Sequence, residues 1–209
     1  MFRDREEAGR LLAAALTSYE ADESVVVLAI PRGAVVMGAE IARALGAPLD
    51  LVIVAKIGAP GNPEFAAGAI DQDGNIMRNP SAGVSMEHLR ETGEEARREI
   101  ERRLDAYRGG RRELDVAGKT AIVVDDGVAT GFTALKAVDF VRRRGAERIV
   151  LAVPVIARDA AAMLEADVDE LVALERPRVF LAVGGFYHDF GQVSDEEVQA
   201  ILAGVHGAE

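Results

Sequence analysis

Residues 122–134 read IVVDDGVATGFTA and place two adjacent carboxylates, Asp125 and Asp126, at the end of an apolar run. Like charges in a buried position disfavour each other, so the pair needs partners that accept negative charge. Carboxylates accept hydrogen bonds from vicinal hydroxyls and hold Mg²⁺ directly or through water. Directly behind the pair, Val128, Ala129, Thr130, Gly131, Phe132 and Thr133 lead into a helical pattern. The unpaired N–H groups and macrodipole at a helix start favour an anion. Small residues at Ala129 and Gly131 let a ligand approach the backbone, and the Thr130 and Thr133 hydroxyls can donate. A phosphate at one end and a diol a few ångströms away describe a ribose 5-phosphate. An ordinary strand-end turn explains the acid pair alone, but the loop and helix behind it favour a binding site.

The elements that must carry this stretch alternate regularly. Helical spacing is predicted over 5–19, a β-branched strand over 25–30, a helix ending at Gly46, and a second buried strand over 49–58. GAPGNP then leads into a β-hairpin around DQDGN, and 85–108 is a long charged helix. Strand 120–126, helix 132–145, strand 148–155, helix 158–167 and strand 170–175 follow. The tail is expected to add one more strand, an aromatic turn and a helix capped by Ser194 with Glu197. This alternation predicts an α/β fold with a doubly wound, mainly parallel sheet and helices on both faces. In such sheets ligands sit outside the carboxyl ends of the strands, where Asp125 and Asp126 lie.

Composition narrows the function classes. The chain has 209 residues, of which 49% are hydrophobic, enough for the core of a single domain. A formal net charge of −11 disfavours loose binding to nucleic acid or anionic membrane, both polyanions. No apolar run approaches the ~20 residues that span a bilayer, and the first residues lack a signal-peptide layout. The absence of cysteine removes disulfides, thiolate metal sites and thiol nucleophiles, and fits a cytoplasmic setting.

IVVDDGVATGFT resembles the phosphoribosyl-pyrophosphate (PRPP) motif of type I phosphoribosyltransferases: four apolar residues, two acids, then a T-G-x-T loop. Two positions depart from the commonest form, Gly127 where a bulkier apolar residue is usual and Phe132 where a small one is frequent. AIPRGAVVMG resembles the family's pyrophosphate loop, with Arg32 and Gly33 at the turn, and Lys56 matches a basic position at the end of the second strand. The resemblance spans roughly residues 25–175. It implies transfer of the 5-phosphoribosyl group from PRPP, with Mg²⁺, to a nitrogenous base or other amine, releasing pyrophosphate. Asp125 and Asp126 would anchor the ribose hydroxyls and the PRPP-bound metal, and the loop from Val128 to Thr133 the 5-phosphate. Arg32, Gly33 and Lys56 would hold the pyrophosphate.

The resemblance also implies a small hood built from about 176–209 with the N-terminal helix, and an insertion at about 58–118 where members keep a mobile loop. Phe186, Tyr187, His188 and Asp189 are the hood's candidates for the acceptor; anchoring the last helix is the other use for its aromatics. Tyr107, Arg108, Arg111 and Arg112 around Gly109–Gly110 are candidates to close on pyrophosphate, against the alternative of a solvated connector. Members with 6-oxopurine acceptors carry an acid immediately before the Thr-Gly, where this chain has Ala129, so that subfamily is disfavoured. Dimers are common in the family, which leaves a homodimer open, and no general base stands out. His88 and His206 read as surface residues. The alternative functions are a PRPP- or nucleotide-sensing regulator with little catalysis, and a hydrolase of 5-phosphate sugars or nucleotides.

Overall fold

The computed structural model describes the backbone of residues 1–206, with all side chains of that range except those of Pro63, Glu64 and His206. The surface reading of His206 therefore lies outside the described residues. A five-stranded parallel sheet forms the centre, in the order β2 (Leu49–Leu51), β1 (Val25–Ala29), β6 (Thr120–Val124), β7 (Arg148–Val155), β8 (Glu170–Glu175). β1 pairs with β6 from Val25↔Thr120 to Ala29↔Val124. Every residue of β1 is buried, as expected of a strand covered on both faces. Val25, Val27 and Ala29 pack with α1 (Arg5–Ala15), α2 (Ala34–Leu45) and α6 (Asp195–His206). Val26, Leu28 and Ile30 point the other way, toward α4 (Phe132–Arg143) and α5 (Arg158–Leu164). The period-2 alternation of the strand thus splits one apolar run between two cores, each large side chain contributing ~1.5–3 kcal/mol on burial.

Local chemistry sets the helix ends. The Asp4 carboxylate accepts from the Glu7 N–H at 2.8 Å and starts α1. Ser85 caps the start of α3 (Met86–Arg108), and Gly46 and Gly109 end α2 and α3 in the left-handed region. Ser194 and Glu197 form the expected reciprocal cap of α6: each main-chain N–H donates to the other's side-chain oxygen. None of the described helices is long and apolar enough to cross a membrane.

Two expected strands are corrected. The run 49–58 does not form one strand. It is divided into β2 in the parallel sheet and β3 (Val54–Ala59) in a separate antiparallel sheet with β4 (Asn62–Asp71) and β5 (Ile76–Arg78). At the crossing, the Val52 N–H still donates to Ala29 O, whereas the Ile53 N–H donates to the Gln72 side chain. Leu51, Val52, Ile53 and Val54 are all buried, so the apolar run carries no mark of the change of sheet at that point. The tail strand is also absent: 176–182 joins no ladder, and a 3₁₀ turn follows at Val183–Phe186. Its apolar residues serve otherwise, with the Phe180 ring 5.2 Å from that of Phe186.

The second sheet is fastened to α4 by buried charge. Lys136 is 2% exposed and Asp71 is fully buried, with Nζ 2.8 Å from Asp71 Oδ2 and 2.7 Å from Asp139 Oδ2. Arg143 also pairs with Asp71, and Arg144 reaches Asp73 at 2.7 Å. The other Asp71 oxygen accepts from the N–H groups of Asp73 and Asn75, both at 3.0 Å, and so shapes the β4–β5 turn.

Candidate active site

The connections after β1 and β6 run to opposite sides: α2 leads to β2, α4 to β7, and the two helices cover different faces. The crevice between β1 and β6 is therefore the topological switch point of the sheet. Both sequence-predicted loops meet there. An ideal Cβ on Gly33 would lie 2.0 Å from Asp126 Oδ2 and 2.6 Å from Arg5 Nε. Glycine is what allows the Asp126 carboxylate to rest against the turn that opens α2. The Pro31–Arg32 peptide in this turn is cis.

Asp125 and Asp126 are half-buried at the end of β6. Asp125 Oδ1 accepts from the Asp126 N–H at 2.8 Å. Burial and the neighbouring Asp126 charge push the Asp125 carboxyl well above the usual carboxylate range. Burial also raises Asp126, against the opposing pull of Arg5, whose Nε sits 2.9 Å from Asp126 Oδ2.

Behind the acids, Val128 is buried and tied to the neighbouring strand: its N–H donates to Val155 O, and its carbonyl accepts from the Ala157 N–H, both at 2.9 Å. Ala129 and Thr130 are exposed, and Gly131 adopts φ +79° just before α4 begins at Phe132. Among the described residues no acceptor is bonded to the N–H groups of Ala129, Thr130, Gly131, Phe132 or Thr133. The result is a row of main-chain donors without acceptors at a helix start, the physical requirement for holding a phosphate.

Gly127 has a structural explanation. A Cβ there would lie 2.4 Å from Val183 Cγ1 and 3.1 Å from Val155 Cγ1. Val183, from the C-terminal tail, fills the space that a side chain at 127 would occupy. Gly127→Ala is expected to cost about 1–3 kcal/mol by overpacking. Adding Val183→Ala should recover part of that loss, and urea unfolding of the double-mutant cycle measures the coupling.

The candidate pyrophosphate residues approach one another through an intermediary. Arg32 Nη1 is 3.6 Å from Asp195 Oδ1, and Asp195 also binds Arg102 at 3.0 Å and the Tyr107 hydroxyl at 2.6 Å. Arg102 and the exposed Lys56 line one cavity of about 700 Å³ between β3 and α3. Of the other residues around Gly109–Gly110, the structure places Tyr107 in the core, its hydroxyl pushed up to about 12 mainly by burial. Arg108 binds the buried Asp50, Arg111 donates to the carbonyls of Tyr107, Arg108 and Leu202, and Arg112 is exposed. In this conformation these residues hold α3 against β2 and α6 and do not face the crevice's acids.

Tyr187 is also buried, its hydroxyl donating to the Asp126 carbonyl at 2.6 Å and its ring 4.8 Å from that of Phe190. His188 and Asp189 are exposed, but their N–H groups donate to Phe2 O and Arg3 O, which stitches the N-terminus to the tail. Phe186 is half-buried against Phe180. Sequence reasoning missed Arg5, Val183, Phe190 and Asp195. Arg5, Val183 and Asp195 are far in the chain from the residues they touch, whereas Phe190 adjoins the hood candidates 186–189 and stacks on Tyr187.

Comparison with known proteins identifies the family and the fold. A family model described as the phosphoribosyl transferase domain matches residues 4–190. A Mycobacterium tuberculosis (strain H37Rv) protein provisionally named a phosphoribosyl transferase is 41% identical over 210 residues, covering 99% of this chain and 47% of its own length. The chain thus spans about half the length of the curated relatives it matches. A crystal structure of the Thermus thermophilus protein TT1426 aligns over 97% of both chains, with 45% identity and a TM-score of 0.83. Purine phosphoribosyltransferase from Pyrococcus horikoshii shares the fold at a TM-score of 0.51 and 17% identity, over 91% of this chain and 92% of its own.

Proposed function

The chain belongs to the phosphoribosyl transferase domain family, and from that premise we propose that it binds PRPP at the β1–β6 switch point and transfers the phosphoribosyl group to a nitrogen acceptor, in the cytoplasm. The observation that carries this reading is the meeting of three devices in one crevice. They are the acid pair, the row of unpaired N–H groups from Ala129 to Thr133, and the Gly33 turn against which Asp126 rests.

The loop 128–133 holds the 5-phosphate through N–H groups and the Thr130 and Thr133 hydroxyls. Asp125 and the free lone pairs of Asp126 accept from the ribose 2- and 3-hydroxyls. The turn at Arg32 and Gly33, with Lys56, receives the pyrophosphate. The acceptor nitrogen then forms a bond to the anomeric carbon as the bond to the pyrophosphate oxygen breaks; the electron pair leaves with pyrophosphate, and the proton of the acceptor N–H passes to solvent or to the departing pyrophosphate. Positive charge builds on the ribose during this exchange, so fixed carboxylates beside it stabilise the transition state electrostatically.

Hard carboxylate oxygens suit Mg²⁺. Among the described residues, no group of three or more His, Cys, Asp or Glu side chains comes together as a cage. The residues therefore fit a metal carried largely by the substrate's phosphates, with Asp125 and Asp126 as supports. Bound there, Mg²⁺ supplies neutralisation of the pyrophosphate charge.

A panel of purine, pyrimidine and amine acceptors, assayed for pyrophosphate release from PRPP, tests the reaction. Acceptor-dependent release is the expected result. Release of free ribose 5-phosphate with no acceptor requirement would point to hydrolysis instead.

A further inference from the structure

Arg5 touches the acid pair although no motif marks it. It lies in the first turn of α1, 121 residues before its partner Asp126. Its guanidinium makes three contacts at once. Nε donates to Asp126 Oδ2 at 2.9 Å, Nη1 donates to the Gly191 carbonyl at 2.7 Å, and the guanidinium carbon lies 3.8 Å from the centroid of the Phe190 ring. The side chain is only 11% exposed. Phe190 rests on Tyr187, whose hydroxyl holds the main-chain carbonyl of the same Asp126. One aspartate is thus gripped at its carboxylate by the N-terminal helix and at its backbone by the C-terminal tail.

We infer that Arg5 is a positioning residue for the phosphoribosyl donor: it orients the Asp126 carboxylate, leaving the other Asp126 oxygen and Asp125 to meet the ribose. This rests on the donor reading above. The geometry favours arginine over any other cation. A lysine ammonium can supply charge, but it lacks the planar fork that joins Asp126, Gly191 and Phe190 together. The contact also separates the roles of the two acids. Asp126 is already charge-compensated by the protein, whereas the charge on Asp125 is left for hydroxyls or a substrate-borne cation. The carboxylate of Asp126 meets Arg5 from α1 and the Gly33 turn of α2, whereas Tyr187 from the tail holds its main-chain carbonyl.

The test compares Arg5→Gln and Arg5→Lys with the wild type by two readouts. The first is calorimetric affinity for PRPP with Mg²⁺, which should fall about tenfold or more in both variants, because neither reproduces the fork. The second is affinity for inorganic phosphate, which should stay within about twofold of wild type, because Arg5 touches the acid pair and not the loop 128–133. Wild-type PRPP affinity in folded Arg5→Lys would overturn the inference, and so would an equal loss of phosphate and PRPP affinity, which a merely structural role predicts. If Arg5→Gln does not fold, Arg5→Lys alone decides. Failure of the wild type to bind PRPP would instead sink the donor reading, while a urea-unfolding double-mutant cycle of Arg5→Lys with Asp126→Asn still reports the Arg5–Asp126 pairing.

Discussion

Asp125→Asn is expected to weaken PRPP binding about tenfold to a hundredfold while raising the melting temperature of the ligand-free protein. The first effect follows from the loss of charge-assisted hydrogen bonds to the ribose hydroxyls, worth ~1.5–3 kcal/mol each. The second follows from the environment of the free carboxyl. Burial and the Asp126 charge raise its proton affinity well above that of an unfolded aspartate. A group raised in this way contributes stability below its unfolded value, near pH 3.8, and loses it as pH climbs through the folded value. At pH 7 this raised proton affinity is therefore a burden on the empty fold. Asparagine keeps the acceptor for the Asp126 N–H and removes the repulsion.

Scanning calorimetry should show the variant melting higher at pH 7, by about 2–4 °C per kcal/mol, with the difference vanishing below about pH 4. Asp126→Asn should gain less or nothing, because the relief of its own raised carboxyl is offset by leaving the nearly buried Arg5 without its anion. A simple strand-end turn does not predict unequal stability effects from two adjacent acids. A lower melting temperature in Asp125→Asn at pH 7 would contradict the assignment of charge repulsion to that residue.

Asp71→Ala is the variant expected to damage the fold most. Asp71 is fully buried and serves Lys136, Arg143 and two turn N–H groups at once. A buried ion cluster need not outperform an apolar one, but removing a single partner strands the others and costs ~3–5 kcal/mol. For a chain of this size that corresponds to a fall of about 6–20 °C in melting temperature. Asp71→Asn should fall between, because its carbonyl oxygen can still accept from the Asp73 and Asn75 N–H groups. The damage is expected to reach the site, since the sheet that Asp71 fastens to α4 carries Lys56 on β3. A loss of less than about 2 °C in Asp71→Ala would mean that the network is dispensable.

How far the molecule can be read from its sequence depends on whether each signal is local. The run VVVLA and the helical spacing of Val36, Ile41 and Leu45 are local signals, so β1 and α2 are legible, although Val36 is half-buried and Val35 takes the core position. The acid pair and the Thr-Gly turn are contiguous, so their placement at a strand end follows from pattern alone. The division of 49–58 between two sheets depends on what pairs with β3 from residues 62–71, and no feature of the run itself encodes it. Tyr107, near the end of the predicted helix 85–108, reads as a candidate to close on pyrophosphate because Gly109 and Gly110 follow it, yet it is buried and its hydroxyl bonds Asp195 of α6, a long-range contact. The Arg5–Asp126 pair is the extreme case, joining the first helix to the middle of the chain. Gly127 is visible as a departure from the family pattern, but its cause, Val183, lies 56 residues away.

The central claim is that the crevice between β1 and β6 is a donor site for PRPP. Isothermal titration of the wild-type protein with PRPP, with and without Mg²⁺, tests it most directly. Saturable one-site binding that strengthens with Mg²⁺ and weakens in Asp125→Asn is the predicted result. No heat of binding from the folded wild type in the presence of Mg²⁺ would contradict the account.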